Sequence, residues 1–249
     1  MELERIAAAH WRGTEEAWLG GWLLRAAEGF TGRANSVLPL GDPGVPFDDA
    51  LDVVTDWYRA RGLRPMIQVS LPLDDRHTHD LDHCLDQRSW SSRSGPAFVM
   101  VAGVPLPGVR AEALPPGAEL VVLDEPDDAW QAMYHYRGQD HLPGVAYSVL
   151  SSAEEQSFIK IVAGDEILAI ARVSVADQWA GLTAVEVNPA YRRRGLGAAV
   201  TTAACSEAAR RGITKAFLQV EVTNAPARAL YESLGFRYTH HYHYRVAPS

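Results

Sequence analysis

The sequence predicts an α/β protein of two related halves, each a mixed, mostly antiparallel sheet flanked by helices. Three observations carry this reading. The C-terminal third alternates strand, glycine–arginine loop, helix, strand, helix, strand; the segment before it reads as antiparallel strands; and residues 33–102 repeat the same alternation more faintly. At 249 residues and 47% hydrophobic, the chain is long enough for two domains of the usual ~100–150 residues.

In the first half, RANSVLPL reads as a strand leading through a Gly/Pro turn into the helical FDDALDVVTDWYRARG. RPMIQVSL follows as a strand, HDLDHCLDQRSW as a helix and SGPAFVMVA as a strand. PLPGVRAEALPPG is the best linker, which divides the chain into domains 1–108 and 119–249 joined by 109–118. Beyond it, ELVVLDEPDDAWQAMYHY reads as a strand, an acidic N-cap with Pro126, and a helix. FIKIVAGDEILAIARVSVADQWAGLTAVEV is a run of antiparallel strands, with bends expected at Gly164-Asp165 and Ala180-Gly181. A helix then runs from Leu196 to a stop at Gly212, and TKAFLQVEV is a strand. Asn224 caps a short helix with Pro226 in its first turn and Gly235 after its last, and FRYTHHYHYRV closes the chain as a strand. PMIQVS echoes AFLQVE, with Gln68 against Gln219, and CLDQRSW echoes LYESLGF, so we read a degenerate internal duplication.

Composition narrows the function. A formal charge of −8 argues against broad nucleic-acid binding. No apolar run is long enough for a membrane span and the N-terminus lacks a signal layout, so a cytoplasmic location is expected. Two cysteines, Cys84 and Cys205, are too few for a disulfide framework, and Cys205 reads as a buried inert thiol. His79 and His83 have helical spacing and, with Asp82, raise a metal site, but no third convincing ligand accompanies them and a solvated helix face is favoured, so no metal is expected.

Against this acidic background, VEVNPAYRRRGLGAAV concentrates Arg192, Arg193 and Arg194 before Gly195 and Gly197. A strand that ends in a glycine-containing turn and opens a helix presents free backbone N–H groups at the positive end of a helix dipole. The glycines allow close approach and the arginines add forked donors, which together suit phosphate. A P-loop requires Lys-Ser/Thr after the glycine, where Ala198-Ala199 stand. A dinucleotide fold requires a third glycine, where Val200 stands, although Glu221 could pass for its ribose-binding acid.

RRRGLG resembles the R/Q-x-x-G-x-G/A pyrophosphate loop of the GCN5-related N-acetyltransferase superfamily, and NAPARALYESLGF resembles the motif that follows it there. The resemblance covers roughly Glu119 to Val246. It reaches the first half only through the duplication, so the chain looks like a tandem member with one degenerate half. It implies acetyl-CoA as co-substrate, with Arg192, Arg193, Arg194, Gly195, Leu196, Gly197 and Ala198 around the pyrophosphate. It further implies Val185, Glu186 and Val187 along the pantetheine arm, Asn224 and Ala227 beside it, and Tyr231 as the acid that protonates the departing thiolate.

The expected reaction is acetyl transfer to an amine by direct attack in a ternary complex. The alternative is a non-catalytic CoA-binding sensor, because the superfamily's base positions here hold Gly181, Thr183 and Gln219. Glu186 is ranked first as base, with Glu221 or a water relay behind it, although strand alternation sends Glu186 to the face opposite Val185 and Val187 unless a bulge re-aims it. RGQDHLPGVAYS is a candidate acceptor lid, and either face of HHYHY could line the acceptor pocket.

Overall fold

The computed structural model describes residues 2–73, 80–106, 114–135 and 141–248. Strands β1 (Glu15–Leu19), β2 (Trp22–Ala26) and β3 (Leu38–Pro39) form an antiparallel sheet. Eight more make a second sheet: β4 (Met66–Pro72), β5 (Ser91–Gly103), β6 (Ala118–Leu123), β7 (Glu155–Ala163), β8 (Glu166–Ala176), β9 (Trp179–Val187), β10 (Lys215–Glu221) and β11 (Arg237–Val246). Their order is β4-β11-β5-β10-β9-β8-β7-β6. A parallel bridge from Val37 to Ile67 joins the two sheets.

This order contains a reciprocal exchange. β5, from the first half, lies between β11 and β10, while β11, from the second half, lies between β4 and β5. All three pairings in β4-β11-β5-β10 are antiparallel. At its two ends, Val37 meets β4 in parallel as β9 meets β10 in parallel. Reversing the order β4-β11-β5-β10 exchanges β4 with β10 and β11 with β5, and one sheet runs through both halves. Residues 107–113 of the expected linker lie outside the described residues, and the division at 109–118 stands as a proposal about repeated units.

The helices are α1 (Glu2–His10), α2 (Phe47–Arg59), α3 (Asp80–Gln87), α4 (Asp128–Met133), α5 (Ala146–Leu150), α6 (Leu196–Arg210) and α7 (Ala225–Ser233). No helix among the described residues is long and apolar enough to cross a membrane. The small residues of α6 let it lie close on the sheet, where Leu196, Val200, Ala204, Cys205 and Ala208 share a core with Ile161, Leu168, Ala171 and Leu182. Burial pushes the Cys205 thiol up to about 12, so it is inert, as expected. In the first half, Ala50, Leu51, Val54 and Tyr58 of α2 pack on Ile67 and Val69 of β4.

Three expectations change. The second bend falls at Asp177 and Gln178, both in the left-handed region with φ of 49° and 62°, and Ala180-Gly181 lies inside β9. RANSVLPL keeps only Leu38–Pro39 as strand, because the Asn35 side chain organises the preceding loop: its Oδ1 accepts from Ala27 N and Gly29 N, and its Nδ2 donates to Phe30 O and Thr31 O. α1 and the β1–β2 hairpin were not foreseen, although Gly20-Gly21 between two apolar stretches is a hairpin signal.

The acidic N-cap is present as read: Asp127 Oδ1 accepts from Trp130 N at 2.8 Å, and Oδ2 pairs with Lys160. Asp127→Ala is expected to lower stability by about 1–2 kcal/mol in chemical denaturation, and Asp127→Asn, which keeps the cap, by less.

Candidate functional site

β9 and β10 pair only from Ala180 to Leu182 and Ala216 to Leu218. Beyond that they separate, each still held on its outer edge, β9 by β8 and β10 by β5. Between them lies a cleft of about 440 Å³ into which Val185, Asn224, Ala227 and Tyr231 face. A bulge shapes the β9 wall: Thr183 opposes Arg172 and Glu186 opposes Ile170, so β9 carries one extra residue there, with Ala184 at φ 52°.

The Arg-Gly turn stands beyond the far end of β9. A 3-10 turn, Pro189–Tyr191, leads into Arg192, whose Nε donates to Val187 O at 3.3 Å. Arg193 adopts φ 64°, which costs an L side chain about 1–2 kcal/mol, and Gly195 adopts φ 81° as the N-cap of α6. No side chain caps α6, so its first N–H groups remain available to an anion. The Arg194 guanidinium lies over the Tyr191 ring, and neither Arg193 nor Arg194 has a carboxylate at ion-pair distance among the described residues.

The two glycines serve different ends. A Cβ on Gly195 would meet nothing within 4 Å, whereas one on Gly197 would come 3.0 Å from Leu230 Cδ2 and 3.7 Å from Val187 Cγ2. Gly197 therefore lets α6 approach α7 and the end of β9, while Gly195 supplies the left-handed turn.

Tyr231 is almost buried and packs edge-on against Phe236; its backbone carbonyl accepts from Leu234 N and Phe236 N, while its hydroxyl has no hydrogen-bond partner among the described residues. Burial pushes its phenol up to about 12, so it keeps its proton at neutral pH. Asn224 Oδ1 caps α7 by accepting from Ala227 N at 3.2 Å. Its amide nitrogen is left to the cleft.

The positions without a base have structural occupants. At Gly181 a Cβ would lie 2.8 Å from His10 Nδ1 and 2.9 Å from the Phe217 ring, so α1 leaves no space there for a carboxylate. The Thr183 hydroxyl accepts from Arg172 Nη1 at 3.3 Å. Gln219 Oε1 accepts from Arg33 Nη1 at 2.6 Å. Glu186 is not among the residues lining the cleft. Its carboxylate accepts from the His135 backbone N–H at 2.9 Å and meets His135 Nδ1 at 3.1 Å, and His135 is among the residues that line the cleft. Glu221 lines it too, close to Gly95.

His135 escaped the sequence reading because its partner is 51 residues away and no local pattern joins them. The first half's share of the wall was also unforeseen: Thr31, Gly32 and Arg33 enter from the loop after β2, and Gly95 and Ala97 from β5. Tyr242 and Tyr244 supply the HHYHY face that reaches the cleft. Of the proposed lid, 137–140 lie outside the described residues, and Ala146 onward forms α5. Of the residues raised for a metal site, His83 meets Gln87, Asp82 meets Arg245 and His243, and His79 lies outside the described residues.

Comparisons with known proteins agree with this architecture. The family model described as "Probable histone acetyltransferase Rv0428c C-terminal" matches residues 1–245, spanning both halves. Probable histone acetyltransferase Rv0428c of Mycobacterium tuberculosis is 30% identical over 262 residues, covering 99% of this chain and 74% of that protein. The uncharacterized N-acetyltransferase YobR of Bacillus subtilis is 27% identical over 257 residues, covering 98% and 97%. A GCN5-related N-acetyltransferase from Kribbella flavida shares the fold at a TM-score of 0.69 and 19% identity, covering 99% of this chain and 95% of that one.

Proposed function

Because the chain belongs to the Rv0428c C-terminal acetyltransferase family, within the GCN5-related N-acetyltransferases, and is itself an N-acetyltransferase, we propose that it moves the acetyl group of acetyl-CoA to an amine held in the cleft between β9 and β10. One observation carries the cofactor assignment: an uncapped helix N-terminus preceded by two arginines without carboxylate partners, at the end of the strand that lines the cleft. This arrangement suits a pyrophosphate. Acetyl-CoA supplies the activated thioester, and the chain's own residues supply the rest.

The backbone of β9 past Leu182, freed from β10 and bulged at Ala184, offers N–H groups to the thioester oxygen as charge grows on it. Tyr231, whose phenol keeps its proton, donates a hydrogen bond to the departing sulfur. For the base we favour the pair formed by His135 and Glu186. The carboxylate holds Nδ1–H, which fixes the tautomer and leaves Nε2 as the acceptor for the amine's proton. Glu186 thus acts by orienting His135. Holding amine and thioester together in one cleft contributes through positioning as well.

Calorimetric titration of the full chain with acetyl-CoA tests the assignment. One site per chain is expected, since only the second half carries the Arg-Gly turn. Arg193→Ala or Arg194→Ala should weaken it about ten- to hundredfold, the usual worth of a charge-assisted phosphate contact. Two equivalent sites, or unchanged affinity in both variants, would overturn it.

A further inference from the structure

The cleft holds a cation that acetyl transfer to an amine does not require. Arg33 enters it from the loop after β2, and Gly32 permits the approach, since a Cβ there would lie 2.9 Å from the Tyr244 ring. One edge of the guanidinium is fixed by Gln219 Oε1 at 2.6 Å, and one face lies over Trp11, 4.7 Å from the ring centroid. Among the described residues no carboxylate pairs with it.

A second charge reinforces the first. Arg172 has no exposed surface, stacks near the same Trp11 ring, and among the described residues its guanidinium donates to Leu150 O, Thr183 Oγ1 and His10 O, all uncharged. Burial, and then the nearby Arg33, lower its guanidinium to about 9. Two cations in a half-buried region without a counter-ion repel each other, and an arriving anion relieves that repulsion. Thr183, which accepts from Arg172, also lines the cleft, so the buried charge lies one side chain below its surface. Glu221 supplies the opposite sign elsewhere on the wall. A cleft with a cation at one point and a carboxylate at another matches an acceptor that bears both charges.

We propose that Arg33, braced by Gln219 and Trp11, receives a carboxylate on the acceptor, so that the amine acetylated belongs to a small amino-carboxylic acid rather than to a polycationic peptide. This rests on the acetyl-transfer reading above and names its substrate class.

The test uses the full chain and free-thiol release from acetyl-CoA, with glycine, β-alanine, 4-aminobutanoate and L-α-amino acids each set against its own carboxamide, and a lysine-rich peptide alongside. At least one acid is expected to exceed its amide tenfold or more in kcat/KM. Arg33→Met should reduce that ratio to about one through the acceptor KM, with the KM for acetyl-CoA unchanged. Arg33→Lys, which keeps the charge and loses the fork, should fall between. A set in which no acid is preferred, through equal rates or through no turnover, overturns the proposal. So does a preference for the lysine-rich peptide, or an acid preference that survives Arg33→Met. Calorimetry separates the two levels: retained acetyl-CoA binding without acid preference sinks the Arg33 assignment alone, whereas absent binding sinks the reading beneath it.

Discussion

Tyr231→Phe is expected to lower kcat about 10²–10³-fold while leaving acetyl-CoA affinity within a fewfold of the parent. The ring keeps its contact with Phe236, so packing survives, and only the donor aimed at the departing sulfur is removed. Stopped-flow acetyl transfer and calorimetry on the same preparation separate the two effects, and joint loss would assign Tyr231 to the core. The sign of its pH behaviour follows from burial. A phenol lifted to about 12 stays protonated across the assay range, so Tyr231 should contribute no basic limb below about pH 11. A limb near pH 9 that disappears in Tyr231→Phe would contradict that.

His135→Gln should lower kcat/KM by about 10²–10³, because the ring that accepts the amine's proton is gone. Glu186→Gln should cost less, since the ring remains and only its orientation and partner change. Unchanged kcat/KM in His135→Gln would return the role to Glu221 or to solvent. The two variants also distinguish a carboxylate that orients from one that reacts, because direct proton removal by Glu186 would make its substitution the costlier one.

What the sequence made legible depended on whether the signal was local. The helix ending at Gly212, the cap at Asn224 and the turn before α6 each sit within a few residues of the group they serve, and each was read in place. The left-handed Gly195 belongs with them, but the reason for Gly197 does not: it depends on Leu230, which only the packing of α6 against α7 brings near. Gly181, Thr183 and Gln219 looked like an absent base. Their partners are Arg172, 11 residues from Thr183 on the neighbouring strand, and His10 and Arg33, both far away in the first half. Glu186 follows the bulge at Ala184, and its contact with His135 rests on residues 51 apart, which strand alternation alone could not reveal.

The exchanged strands bear on how the molecule comes into being. β11 is translated after β1 to β10, yet its place is between β4 and β5, which are made more than a hundred residues earlier. Until it emerges, β4 and β5 are flanks of a vacant slot, each with a row of unpaired backbone donors and acceptors. The half made first therefore cannot finish first. Its completion waits on the far end of its sibling, which in turn takes β5 as the neighbour of β10. Such pairings close loops of great length, so the completion of the sheet is expected to be slow and to involve both halves together.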